Sequence, residues 1–188
     1  IPGNKLKNIA IGGLTYLAII APYLFTSPGF RTYALLAPQT DKIWYAKIFV
    51  SGSQYLSLFA IGLAFLFWFR HAKEKLLPHW GWLMAVLLLF FSITHFHPQW
   101  FSWITPFLIL LWVSNRKFIF PIITLLLCYT LIVLSFEPSL NLGLFGLNLN
   151  FFNWVNAHFP ADQLVSIIRS LFAATGVYLI FAMSKEKQ

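Results

Sequence analysis

A single cysteine, Cys128, stands among 188 residues. No disulfide framework and no cysteine-based zinc site can form from it, and cysteine usage leaves the redox compartment undetermined. Cys128 lies inside an apolar run, where a free cysteine behaves as a small hydrophobe. Charge is equally scarce, at 10% of residues, against roughly 25% in soluble domains. Acidic groups are the scarcer of the two signs: there are 5 against 13 Lys and Arg. Also missing are a Gly-rich phosphate-cradling loop, a zinc-protease helix, a charge-lined channel pattern and any internal repeat. What fills the chain instead is hydrocarbon: 59% apolar residues, 21 Phe, 8 Trp and a mean hydropathy of +0.74. That composition excludes a water-soluble core and points to an integral membrane protein. The net charge of +8 is scattered between apolar runs, so it reads as topology signal and not as a nucleic-acid surface.

A spanning helix needs about 20 mostly apolar residues. Six segments qualify or nearly so: Asn8–Thr26, Ala46–Phe69, Trp80–Thr94, Gln99–Val113, Phe118–Ser135 and Asp162–Met183. The expected fold is therefore all-α, a polytopic membrane protein of about six spans forming one transmembrane domain over residues 1–188. The third and fourth segments are short and need tilted neighbours or local bilayer thinning to cross; a re-entrant hairpin is the alternative there. The opening IPGNKLKNIAIGG has no small-residue cleavage site after its apolar run, so it does not read as a signal peptide.

Six spans sort the basic residues unevenly. Lys5, Lys7, Arg70, Lys73, Lys75, Arg116, Lys117, Lys185 and Lys187 fall on one side, and Arg31, Lys42 and Lys47 on the other. Lys and Arg accumulate in cytoplasmic loops, so both termini are expected in the cytoplasm. The other face then holds segment 27–45, the turn at 95–98 and the stretch 136–161. Within it, NFFNWVNAHF (150–159) places Phe151, Phe152, Trp154, Val155 and Phe159 near helical spacing opposite asparagines. That pattern predicts an amphipathic helix lying in the membrane interface, and GFRTYALLAP (29–38) a shorter one stopped by Pro38.

The chemistry gathers on the same face. In HFHPQWFSW (95–103), one reading makes Pro98 the start of a helix and Trp100 and Trp103 interfacial belt residues. The other lines a cleft with His95, His97, Gln99, Trp100 and Trp103, which together orient a phosphate or sugar hydroxyls. Two histidines at i and i+2 without carboxylates are a poor metal site, so no metal ligands are assigned. Arg169 lies about two turns inside the last span, where a cation is costly and pairs, snorkels or faces a cavity. It either snorkels, pairs with Glu137, or presents its fork to a lipid phosphate, whose geometry it matches. Asp41, with Thr40, is placed to cap the second span, and Asp162 the last. SGSQYLS (51–57) reads as close helix packing, with Gln54 and Tyr55 available to a polar cavity.

The string His97, Gln99, Trp100, Trp103 and Pro106 in HFHPQWFSWITPFLILLW resembles a motif of GT-C class membrane glycosyltransferases that use polyprenyl-phosphate sugars, and more closely of bacterial relatives of GPI mannosyltransferases. LLAPQTDKIWYAKIFVSGSQYLSLFAIGLAF also resembles a mid-to-late segment of those enzymes, so the similarity covers about residues 35–115. The resemblance implies extracytoplasmic transfer of a sugar from a lipid-phosphate donor to an acceptor hydroxyl. It further implies an acidic first outer loop and many more spans. The chain thus reads as the C-terminal part of such an enzyme or a shortened relative, in which Asp41, the acid of its first outer loop, inherits the catalytic base role. Partners would be membrane lipid, the polyprenyl-phosphate-linked sugar and a further membrane chain; no cofactor is assigned. Two rivals stand beside it: a non-catalytic membrane subunit packed on a partner, and a small lipid or solute transporter. Converging polar groups at one mouth separate the enzyme from the first, and a polar path through the bundle from the second.

Overall fold

The structure, a computed structural model, describes residues 5–35, 38–72, 77–136 and 151–185. It is mostly helical, and the chain separates into two compact units, Ile1–Lys42 and Ile43–Gln188. Glu137 and most of the stretch 136–161 lie outside the described residues.

The first unit is built on α1 (Lys5–Thr26). A one-turn helix α2 (Pro28–Phe30) follows, entered through the Ser27 hydroxyl, which accepts from the Phe30 N–H at 3.1 Å. A π-helical turn continues over Arg31–Leu35, so GFRTYAL is helical as expected. Arg31 folds back and donates to the Leu24 carbonyl at 2.6 Å. A cation thereby satisfies the orphan carbonyls at the end of α1 and complements its dipole. A 3-10 helix, Pro38–Trp44, carries the chain out of this unit.

The second unit holds β1 (Lys47–Ser51), β2 (Gln54–Ser57), α3 (Leu58–Ala72), α4 (His79–Ile93), α5 (Thr105–Ser114), α6 (Ile119–Leu134), α7 (Phe151–His158) and α8 (Ala161–Lys185). The second expected span, Ala46–Phe69, is not one helix: its first half is an antiparallel hairpin, with Lys47 opposite Ser57, Ile48 opposite Leu56 and Phe49 opposite Tyr55. The cause is local. Gly52 takes φ +51°, a left-handed conformation open to glycine, and the flanking β-branched and aromatic residues suit paired strands. The all-α expectation misses this hairpin. The helix cap assigned to Asp41 belongs instead to Ser57, whose buried hydroxyl accepts from the Ala60 N–H at 3.3 Å and donates to the Ile43 carbonyl at 3.1 Å. Asp162 does fall in the first turn of α8, where an acid is favoured.

Among the described residues, three helices are long and apolar enough to cross a membrane: Leu6–Thr26, Arg116–Leu134 and Ala161–Lys185. Six spans are not shown. Helices α3 and α4 have 15 residues each; α5 has 10, because the predicted fourth span starts as a 3-10 helix, Pro98–Trp103.

The core of the second unit lies where α4, α6 and α8 meet. Met84, Leu88, Phe91, Leu125, Ile132, Phe172 and Leu179 are buried there, joined by Phe96, Phe101 and Ile104 from the α4–α5 connection. Gly176 lets α8 approach α4, since a Cβ at that position would come 2.8 Å from the Ser92 hydroxyl oxygen. Close approach through small residues is how helices associate where lipid supplies no hydrophobic drive. The outward faces stay apolar, with Phe120, Ile167, Val177 and Phe181 all exposed. Cys128 is buried on α6, as its apolar surroundings implied.

Candidate functional site

Helix α4 ends because Thr94 turns extended (φ −107°, ψ 159°) while its N–H and its hydroxyl both bond the Phe90 carbonyl, at 2.9 and 2.7 Å. His97 stays extended (φ −79°, ψ 144°), as a residue before proline must. Pro98 then opens the 3-10 helix. This connection is not a surface loop: Thr94, Phe96 and Ile104 are fully buried, and Phe101 nearly so.

Three residues per turn give a 3-10 helix three faces with eclipsed i, i+3 side chains. His97, Trp100 and Trp103 occupy one face as a ring ladder. The His97 and Trp100 centroids are 5.3 Å apart, and Trp100 stacks on Trp103 at 5.5 Å with 9° between planes. Phe101 and Ile104 occupy the buried face. Gln99 and Ser102 occupy the exposed third, where the Ser102 hydroxyl donates to the Gln99 carbonyl at 2.7 Å. Tyr129 of α6 pins the whole connection: its hydroxyl donates to the Pro98 carbonyl at 2.7 Å, and its ring stacks on Phe101 at 4.0 Å.

Arg169 reaches this connection from α8, a sequence separation of 75 residues. Its Nη1 donates to the Thr94 carbonyl at 3.4 Å, and its guanidinium lies 5.5 Å from the centroid of the Phe96 ring. Thr94 and Phe96 flank His95, whose ring lies 5.7 Å from Tyr45 and 5.9 Å from Phe136. Arg169 is thus half-buried, set over the face of Phe96, and, among the described residues, held by one hydrogen bond longer than the usual range.

Of the residues singled out from sequence, the structure brings Arg169 to the segment carrying His95. His97, Trp100 and Trp103 form the separate ladder, and Gln99 faces away from it. Asp41 belongs to the other unit, exposed on the 3-10 helix Pro38–Trp44. Its neighbour Lys42 is part-buried, and that burial lowers its ammonium pKa below the usual lysine range. Gln54 and Tyr55 lie on the hairpin, with the Tyr55 ring 4.7 Å from the Lys47 ammonium. Among the described residues no three His, Cys, Asp or Glu side chains gather as a metal site. A separate, open and mostly apolar cavity of about 380 Å³ lies between α6 and α8, lined by Phe120, Pro121, Thr124, Ala174, Thr175 and Tyr178.

Sequence reasoning missed Tyr45 and Tyr129. A lone phenol inside the apolar run of α6 is itself a signal, since a buried tyrosine hydroxyl needs a partner. No protein-family model, curated protein or solved structure matches the chain.

Proposed function

We propose that this chain is a membrane glycosyltransferase domain of the mannosyltransferase-like GT-C kind, acting on a lipid-phosphate-linked sugar at the extracytoplasmic face. The observation that supports it best is the reach of Arg169 across the fold to the His95 segment. A guanidinium has five donors in a planar fork suited to phosphate oxygens, and here, among the described residues, one of them makes a long bond to the Thr94 carbonyl. Half-burial strengthens what it offers an anion. In this reading Arg169 and His95 offset charge on the departing lipid phosphate. His97, Trp100 and Trp103 form a flat wall for the sugar, while Gln99 offers an amide to its hydroxyls. A carboxylate takes the acceptor proton, and Asp41 is the acid assigned to that step. The binding test uses a short polyprenyl phosphate and the matching polyprenol in nanodiscs. The phosphate should raise the unfolding temperature and the alcohol should not; equal shifts would reject a phosphate site.

The same reading has six spans, both termini in the cytoplasm, and the 95–98 turn outside, in accord with the nine-to-three charge split. In a Cys128→Ser background, a cysteine at Ser102 should label from outside intact cells and one at Lys185 only after permeabilisation. The opposite result reverses the orientation. A non-catalytic subunit packed on a partner is the second reading, in accord with the apolar window Leu6–Thr26 of α1. A phosphate-independent chain that copurifies with a membrane enzyme would support that second reading.

A further inference from the structure

We infer that the β1–β2 hairpin is a membrane-surface anchor whose partner is the lipid headgroup layer, with anionic headgroups preferred. Its backbone and its side chains make opposite demands. A two-stranded sheet pairs only the inner edge of each strand. The outward N–H and C=O groups therefore need water or headgroups, and hydrocarbon cannot receive them. Yet the side chains are too apolar for water. Ile48, Phe49, Val50, Tyr55 and Leu56 are all exposed, from 38% at Tyr55 to 66% at Phe49. The layer between hydrocarbon and water meets both demands.

The side chains are sorted accordingly. Ile48 and Leu56 pair on one face, while Phe49 and Tyr55 pair on the other beside Lys47. The Lys47 ammonium lies 5.3 Å from the Phe49 centroid and 4.7 Å from that of Tyr55. It is the sole charged residue from Ile43 to Ser57, so whatever surface receives the hairpin meets a cation unopposed on this segment. Phosphate headgroups supply that complement, and aromatic rings with lysine are the residues that settle at this depth. Trp44 and Tyr45, both exposed, extend the aromatic set upstream.

The hairpin is also continuous with an apolar helix face. Ser57 ends β2 and caps α3 with no intervening linker. Along α3, Ile61, Phe65 and Trp68 are exposed at helical spacing, which is a lipid-facing stripe. The hairpin thus lies where that stripe begins.

Spin labels test the depth. Single cysteines at Val50, Leu56 and, as a hydrocarbon reference, Leu127 are introduced into Cys128→Ser and reconstituted in phosphatidylcholine–phosphatidylglycerol vesicles. Labels at Val50 and Leu56 should collide with both oxygen and a nickel chelate, at a depth between that of Leu127 and bulk water. Lys47→Gln should shift them toward water, and pure phosphatidylcholine should do the same. Nickel collision at the rate of a free aqueous label would overturn the anchor. Protection from both reagents would also overturn it, because a partner chain or second copy would then cover the hairpin.

Discussion

Arg169→Gln is expected to lower affinity for a polyprenyl phosphate about 10- to 100-fold, the loss of one charge-assisted contact of roughly 1.5–3 kcal/mol. The folded yield should stay close to that of the parent, because the bond given up is a long one, 3.4 Å to the Thr94 carbonyl. Arg169→Lys should recover part of the affinity: it keeps the charge but loses the fork. His95→Ala should weaken the same step, and its combination with Arg169→Gln should be less than additive, since Arg169 contacts both residues flanking His95. A structural ion pair gives the opposite signature. If Arg169 neutralises Glu137, removing it leaves a carboxylate unpaired and the protein destabilised, and adding Glu137→Gln restores stability. Full phosphate affinity in Arg169→Gln would remove the phosphate site from consideration and leave His95 an interfacial histidine.

The parts of the fold that were legible are those in which hydrophobicity alone decides. Helices α1, α6 and α8 appear within a few residues of their expected bounds, because a long apolar run has one economical conformation in lipid. Ala46–Phe69 satisfies the same length criterion and still breaks into hairpin and helix. Its hydropathy does not distinguish the two, but its punctuation does: Gly52 and Ser53 separate KIFVS from QYLS, a two-residue loop between strand-forming runs. At the site, Arg169 was legible as a costly cation in an apolar helix. Its neighbours were not, because Thr94 and Phe96 carry no mark of function and Thr94 lies 75 residues away in sequence. The ring ladder was hidden for a different reason. His97, Trp100 and Trp103 align through a 3-10 repeat of three, whereas an α-helical reading offsets each successive ring by about a sixth of a turn.

The aromatic plug beneath the site carries the larger stability prediction. Phe101 is 3% exposed and touches Tyr129 at 4.0 Å, Phe91 at 5.4 Å and Phe172 at 6.1 Å between centroids. Phe101→Ala should cost about 2 kcal/mol in reversible unfolding, somewhat less than the 3–5 typical of a soluble core. The reduction has a physical cause. A membrane helix displaced from its neighbours still finds an apolar solvent, so the water-transfer part of the loss vanishes and the cavity and dispersion parts remain. Phe120→Ala is the control: that ring is 78% exposed, and its removal should change stability by less than about 0.5 kcal/mol. The same core change should reach the site, because Phe101 supports the Tyr129 ring whose hydroxyl holds the Pro98 carbonyl. Phosphate affinity in Phe101→Ala should therefore fall together with the unfolding temperature, whereas Arg169→Gln lowers affinity alone. If Phe101→Ala and Phe120→Ala lose stability equally, the rings around Tyr129 are not what locks the 94–104 connection against α6 and α8.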